Sequence, residues 1–265
     1  MRNYKIPTLT IAGSDCSGGA GVQADLKAFS AIGTYGMSVI TSITAQNTIG
    51  VFDVEELSEK IITGQLKAVF EDIPPKGVKI GMVSSPEIIL TIVESLKKYK
   101  PEILVVDPVM ISKSGFDLLR KEAKENLIKY LIPMAYLITP NIPEAEEITG
   151  MKIETVEDMK QAGKKMLELG PKYVLVKGGH LDGDAIDVLM GEDVFEIFTC
   201  PRIDKKNTHG TGCTISSAIT AHLALGYDIK EAVRLSKKYI TEAIENSFDI
   251  GHGVGPVNHF YKFED

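Results

Sequence analysis

The chain has 265 residues, a net charge of −7 and 44% hydrophobic residues, which suits a single α/β domain over residues 1–265 with a sizeable core. The acidic balance argues against nucleic acid or an anionic membrane as the main partner. Cys16, Cys200 and Cys213 are odd in number, far apart and without a CxxC pair, which excludes a disulfide framework and points to a reducing, cytoplasmic setting.

The opening "MRNYKIPTLTIAG" has too short an apolar stretch for a signal peptide. Within it "LTIAG" is the first strand candidate, followed by a helix near Gly21–Ile32. The uncharged stretch from Ala28 to Phe52 is long enough to cross a bilayer. Its many hydroxyls and amides, Ser30, Thr34, Thr41, Gln46 and Asn47 among them, would be penalised in hydrocarbon, so it reads as a buried strand, "MSVITSITAQ", with flanking turns. A short segment "GVFDVEEL" and a helix to Glu71 come next. "VKIGMV" leads to a helix at Pro86–Lys98, and "ILVVDPVM" to one at Lys121–Leu131. "YLITPN" precedes a helix opening near Pro143 and another over Val156–Leu169. "YVLVKGG" and a hairpin turning at Gly191-Glu192 precede two closing helices, Thr211–Leu225 and Ile229–Asn246.

Short apolar strands alternating with helices predict a mainly parallel sheet covered on both faces. Ligands of such sheets bind at the carboxyl ends of the strands. Asp15, Gln46, Met82, Asp107, Asn141 and Lys177 stand there. All but Met82 are polar or charged, a concentration that marks a site.

Two glycine-rich loops open helices. "GSDCSGGAGVQADLK" contains a loose GxGxxA fingerprint, but no carboxylate follows at the end of the second strand until Asp53, which argues against a dinucleotide. Its glycines allow close backbone approach to a ligand, or simply a tight turn. Gln46 presents an acceptor beside a donor, the complement of an aminopyrimidine edge; a turn-forming amide is the alternative. "KKNTHGTGCT" lacks the GxxxxGK[ST] pattern but has the parts of a phosphate cradle. Gly210 and Gly212 free the backbone, so that the N–H groups of Thr211, Gly212 and Cys213 can converge on an anion at a helix start. A thiol there is expected to have a lowered pKa and to accept a proton from a substrate hydroxyl; a small buried apolar residue is the blander reading of Cys213. Asp107 and Glu144 could direct hydrated Mg²⁺ to ATP phosphates, although Glu144, just after Pro143, also suits the first turn of a helix as a dipole-stabilising carboxylate. The histidines show no HxxxH or HxH spacing, so no zinc site is expected.

"TIAGSDCSGGAGVQADLKAFSAIGTYGMSVITSITAQNT", "KIGMV", "DPVM", "ITPNIPEA", "VKGGH", "NTHGTGCT" and the tail "GHGVGPVNHF" resemble, in order, the hydroxymethylpyrimidine (phosphate) kinases of the ribokinase-like superfamily. The resemblance spans Thr8 to Phe260. It implies a three-layer α/β/α sandwich with a mainly parallel central sheet. It also implies a MgATP-dependent kinase of thiamine biosynthesis, homodimeric, acting on 4-amino-5-hydroxymethyl-2-methylpyrimidine and its monophosphate. By resemblance Cys213 takes the place of the aspartate base of other superfamily members, beside Gly210, Thr211 and Gly212. Gln46 reads the pyrimidine edge, with Gly13, Ala20, Met82 and Val109 lining the pocket. Asp107 and Glu144 belong to the metal side; Asn141, Lys177 and Thr208 belong to the ATP side. Cys16 stands where relatives often carry Ser or Pro. A pyridoxal-type vitamin kinase is the runner-up, and a sensor that kept the fold without catalysis is the alternative of a different class.

Overall fold

The computed structural model describes residues 5–110, 121–179 and 183–263. One nine-stranded sheet runs through it in the order β3-β2-β1-β4-β5-β6-β7-β8-β9. β1 (Pro7–Asp15) lies between β2 (Tyr35–Gln46) and β4 (Gly77–Ile80), parallel to both. β5 (Leu104–Val106), β6 (Leu137–Ile138) and β7 (Tyr173–Lys177) extend the parallel array. β3 (Val51–Glu56) and the hairpin β8 (Ala185–Gly191)–β9 (Phe195–Cys200) form antiparallel margins. The chain therefore changes direction across the sheet between β1 and β4, the position at which an open α/β sheet leaves a crevice.

The parallel strands alternate their apolar side chains between two helical layers. Val78, Ile80, Val106, Ile138, Val174 and Val176 pack with residues of α2 (Glu59–Asp72), α3 (Pro86–Tyr99), α4 (Lys121–Asn126), α5 (Ile142–Thr149) and α6 (Val156–Leu167). Val105, Leu137, Leu175 and Leu189 pack instead with α7 (Thr211–Ala224) and α8 (Ile229–Glu245). α1 (Gly21–Ile32) joins that second layer through Ala28 and Ala31 against Ala218 and Tyr239. The period-2 division of one apolar strand between two faces yields the three-layer sandwich that the sequence predicts.

The predicted helix over Lys121–Leu131 is regular only to Asn126. A π turn, Leu127–Leu131, follows, with the Ile132 N–H reaching back to the Leu127 carbonyl. Pro133, which has no N–H, sits in the next 3₁₀ turn and ends the regular ladder. β4 stops at Ile80 and leaves Met82 on the loop beyond it. Among the described residues no helix is long and apolar enough to cross a membrane.

α7 is rich in Ala, Ser and Thr, and its residues from Thr214 to Ala221 are all buried. The hydroxyls survive there because each has a partner: Ser217 donates to Asp25 Oδ1 at 2.6 Å, and Thr220 to the Ser216 carbonyl at 2.8 Å. Asp25 also accepts from Thr10 at 2.6 Å and from Lys79 Nζ at 2.9 Å, and both members of the ion pair are fully buried. Burial works against the charge of Lys79, but the Asp25 carboxylate holds its pKa above the ordinary lysine value. Removing one member of such a pair strands the other. Lys79→Met is expected to cost about 3–5 kcal/mol in urea denaturation, and the double variant Lys79→Met/Asp25→Asn to recover more than half of that loss. Equal losses in single and double variants would show that the pair does not act as a unit.

Candidate active site

A cavity of about 770 Å³ opens at the carboxyl ends of the strands. Gly13, Ala20, Gln46, Met82, Asp107, Val109, Asn141, Glu144, Lys177 and the run from Thr208 to Cys213 all line it. The candidate site residues expected from the sequence thus share one cleft.

The second glycine-rich loop has the geometry of an anion cradle. Gly210 adopts φ +79°, and a Cβ there would lie 1.9 Å from the Gly19 carbonyl, so only glycine fits between the two loops. The first loop needs the same freedom at Gly21, φ +56°, where a Cβ would lie 2.4 Å from the Gly13 carbonyl. α7 begins with no side-chain cap and no acidic residue in its first turn, which leaves its positive end uncompensated. The Thr211 N–H does not join the expected trio: it faces the Thr208 carbonyl at 3.4 Å, and the Thr211 hydroxyl donates to the same oxygen at 2.7 Å. The Thr214 N–H bonds to Gly210, which leaves the N–H groups of Gly212 and Cys213 for an anion.

The lowered pKa expected for Cys213 is corrected by its surroundings. Burial pushes the thiol up to about 11, more than the Lys79 ammonium and the Gly21 N–H bring it down, and the Asp25 and Asp107 charges add to the rise. The helix start favours a thiolate, but desolvation beside two carboxylates outweighs it. Its side chain sits between the start of α1 and the buried Asp25–Lys79 pair, so the thiol is protonated at neutral pH.

Across the cradle, Lys177 at the end of β7 donates to Asp107 Oδ1 at 2.8 Å, and Thr139 donates to the same oxygen at 2.8 Å. Burial opposes the charge of Lys177, but Asp107 and Glu144 keep its pKa above the ordinary value. A Cβ on Gly212 would come within 3.6 Å of Lys177 Nζ and 3.7 Å of Asp107 Oδ2, so the ion pair faces the cradle directly. Glu144 and Asn141 form a reciprocal capping box at the start of α5, each side chain accepting from the other's backbone N–H at 2.9 Å. The helix-start reading of Glu144 therefore holds alongside any role in the cleft. Its carboxyl is pushed up to about 7, chiefly by burial and further by the charge of Asp107. Among the described residues no group of three or more His, Cys, Asp and Glu is arranged to hold a metal.

The first loop is organised by Asp15, a strand-end residue given no role from sequence. Its carboxylate accepts from the N–H groups of Ser17, Gly19 and Ala20 and from the Ser17 hydroxyl, and lies 3.0 Å from His209 Nε2. Burial raises its pKa, but the His209 and Ser17 bonds bring it well below the usual carboxylate range. Cys16 is exposed, and its sulfur lies 3.1 Å from the Gln46 carbonyl. The carboxyl-terminal tail closes one side: the Val254 N–H bonds to Thr48 at 2.8 Å and the Gly255 carbonyl accepts from the His209 N–H at 3.0 Å.

Asp15, His209, Asp25 and Lys79 were missed as partners from sequence. A lysine inside the otherwise apolar "VKI" was the available signal for the buried pair. The Asp15–His209 contact joins positions 194 apart in the chain and left no local trace. A second buried pair, Lys237–Asp187 at 2.6 Å, also lines the cleft.

Comparison with known proteins agrees with this geometry. The family described as phosphomethylpyrimidine kinase matches residues 15–258. The hydroxymethylpyrimidine/phosphomethylpyrimidine kinase of Bacillus subtilis is 45% identical over 262 residues, covering 98% of this chain and 96% of that one. The thiamine biosynthesis bifunctional protein of Geobacter sulfurreducens is 49% identical over 258 residues, which are 97% of this chain but 53% of that protein; the chain spans about half its length. A crystal structure of phosphomethylpyrimidine kinase from Clostridium difficile is 72% identical with a TM-score of 0.82, covering 90% of this chain and 99% of the other. A pyridoxal kinase structure from Staphylococcus aureus, in complex with AMP-PCP and pyridoxal, has a TM-score of 0.89 at 37% identity over 97% of this chain and 94% of that one. With a family match over most of its length, and the strand-end cleft and glycine cradle in place, the chain belongs to the phosphomethylpyrimidine kinase family.

Proposed function

We propose that this chain transfers the terminal phosphoryl group of ATP to the hydroxyl of 4-amino-5-hydroxymethyl-2-methylpyrimidine, and to the phosphate of its monophosphate, in the cytoplasm. The observation that carries the reading is the placement of Gln46, a donor beside an acceptor, in the same cleft as the Gly210–Cys213 cradle and Lys177. Gly13, Ala20, Met82 and Val109 enclose the ring, while Lys177, Asn141 and Thr208 belong to the ATP side. Charge on the transferring group is stabilised by the N–H groups of Gly212 and Cys213 and by the start of α7.

Asp107 and Glu144 are hard oxygen donors within each other's electrostatic reach, a donor set that fits magnesium held largely through water and phosphate oxygens. Such an ion, when bound, supplies charge neutralisation to the phosphates. Asp107 itself fixes Lys177, and Glu144 fixes the start of α5.

Turnover of ATP against the pyrimidine alcohol, its monophosphate and pyridoxal in parallel tests the reading. We expect both pyrimidines to be phosphorylated in preference to pyridoxal. Gln46→Leu should cost about 1–3 kcal/mol in kcat/KM for the pyrimidines, while the KM for ATP stays within twofold. A preference for pyridoxal would replace this function with a pyridoxal-type kinase.

Proton transfer to Cys213 requires the thiolate, and a thiol near 11 ionises more as pH rises. Single-turnover phosphoryl transfer is therefore expected to climb between pH 7 and 9, and to fall by roughly 10²–10⁴ in Cys213→Ser, the usual contribution of a general base. Cys213→Asp, already ionised, should give a flatter profile. A flat wild-type profile with an active Cys213→Ser would remove the base role.

The exposed Ile43, Ile49 and Phe52, at 49%, 60% and 67% accessibility along β2, its turn and β3, support a homodimer through this ribbon. Phe52→Glu should shift the sedimentation mass from dimer to monomer; a wild-type monomer would refute the assembly.

A further inference from the structure

Gln46 closes β2 with its carboxamide between two fixed neighbours. Oε1 is placed 3.2 Å from the Thr44 hydroxyl oxygen, and Nε2 3.3 Å from His209 Nε2. The hydrogen inventory of those neighbours is incompatible with that placement. Thr44 has one hydroxyl hydrogen, and the Ser14 carbonyl, 2.9 Å away, takes it. Towards Gln46 the hydroxyl therefore offers only a lone pair. On the other side, Asp15 Oδ2 lies 3.0 Å from His209 Nε2. The Asp15 carboxylate accepts and does not donate, so this ring nitrogen carries the hydrogen and has no lone pair for a second N–H. A carboxamide's two ends are alike in outline and are assigned by their neighbours. Half a turn of the terminal amide satisfies both sides: the NH₂ donates to Thr44, and the oxygen accepts a shared hydrogen from His209.

We propose that Asp15, His209 and Thr44 lock the Gln46 carboxamide in this one orientation, and that the lock fixes which way round an aminopyrimidine edge docks. The proposal rests on the kinase reading above. In the locked state the amide keeps one N–H on its Thr44 side and one oxygen lone pair on its His209 side for the cleft. A ring nitrogen acceptor then pairs on the Thr44 side, and the adjacent amino group pairs on the His209 side. The hydroxymethyl group sits on the ring carbon next to the one that bears the amino group. It is therefore directed past His209 towards Gly210, the next residue in the chain and the start of the cradle. The opposite flip would carry the hydroxyl away from the cradle. The hydrogen inventory and the position of the cradle thus select the same orientation independently. Thr44 and His209 are positioning residues in this account.

The test compares the pyrimidine alcohol with its 4-oxo analogue, whose ring N–H and carbonyl oxygen present the reversed edge. The locked wild type should prefer the 4-amino compound by roughly 10²-fold or more in kcat/KM, because a reversed edge sets like partners face to face. Thr44→Val keeps the shape of the side chain but removes its lone pair, and His209→Leu removes the other restraint. Each should shrink the preference by about tenfold, the value of one lost hydrogen bond, chiefly through KM. Thr44→Ser, which keeps the hydroxyl, should keep the wild-type preference. A general loss of packing would lower both substrates alike and leave the ratio unmoved. The same ratio in wild type, Thr44→Val and His209→Leu would overturn the lock. A wild type that phosphorylates neither pyrimidine would overturn the kinase reading separately, and the lock is then decided by calorimetric binding of the two pyrimidines to wild type and Thr44→Val.

Discussion

Four elements meet at the Asp25 carboxylate: α1 carries it, β1 reaches it through Thr10, β4 through Lys79 and α7 through Ser217. A charge with no water around it is tolerable only if every oxygen is partnered, so the pair restricts how these elements can be placed. The restriction falls at the crevice between β1 and β4. It sets the start of α7, and hence the cradle, against the start of α1 and the first loop. An apolar cluster of the same volume could supply equal stability but would not fix direction as hydrogen bonds do.

Above this buried layer the cleft is divided by charge. On one side Asp107, Glu144 and Lys177 form a compact group in which Asp107 accepts from Lys177 and the two carboxylates keep the Lys177 pKa above its ordinary value. On the other, Asp15 gathers the N–H groups of the first loop and fixes His209. The cradle lies between the two. The cradle is built of backbone and a helix start, and Lys177, paired with Asp107, faces it from the opposite wall. The division suits a reaction in which a polyanion and a neutral ring arrive from different sides.

The order and type of nearly all elements could be read from the chain, because each strand is a short apolar run and each helix opens on a recognisable turn. Cleft residues at strand ends were legible for the same reason: Gln46, Asp107, Asn141 and Lys177 interrupt apolar segments. What could not be read depends on contacts between distant segments. Asp15 and His209 each look like an ordinary loop residue until the fold pairs them. The protonation of Cys213 has no local trace because position at a helix start is local information, whereas burial in the folded interior and the charges of Asp25 and Asp107 brought to it from other elements are not. The break at Leu127–Leu131 follows from Pro133, but its form as a π turn has no signature in the pattern of side chains.

The protonated state of Cys213 has a bearing on oxidative chemistry. Peroxides attack thiolates, and cysteines at catalytic positions are often casualties of oxidative stress because they are kept ionised. Here the thiol is partly buried and its raised pKa keeps the thiolate scarce. The exposed Cys16 lies on the first loop with its sulfur against the backbone of Gln46. Oxidant from solvent therefore reaches the Cys16 sulfur more readily than that of Cys213, which is less exposed and held as the thiol.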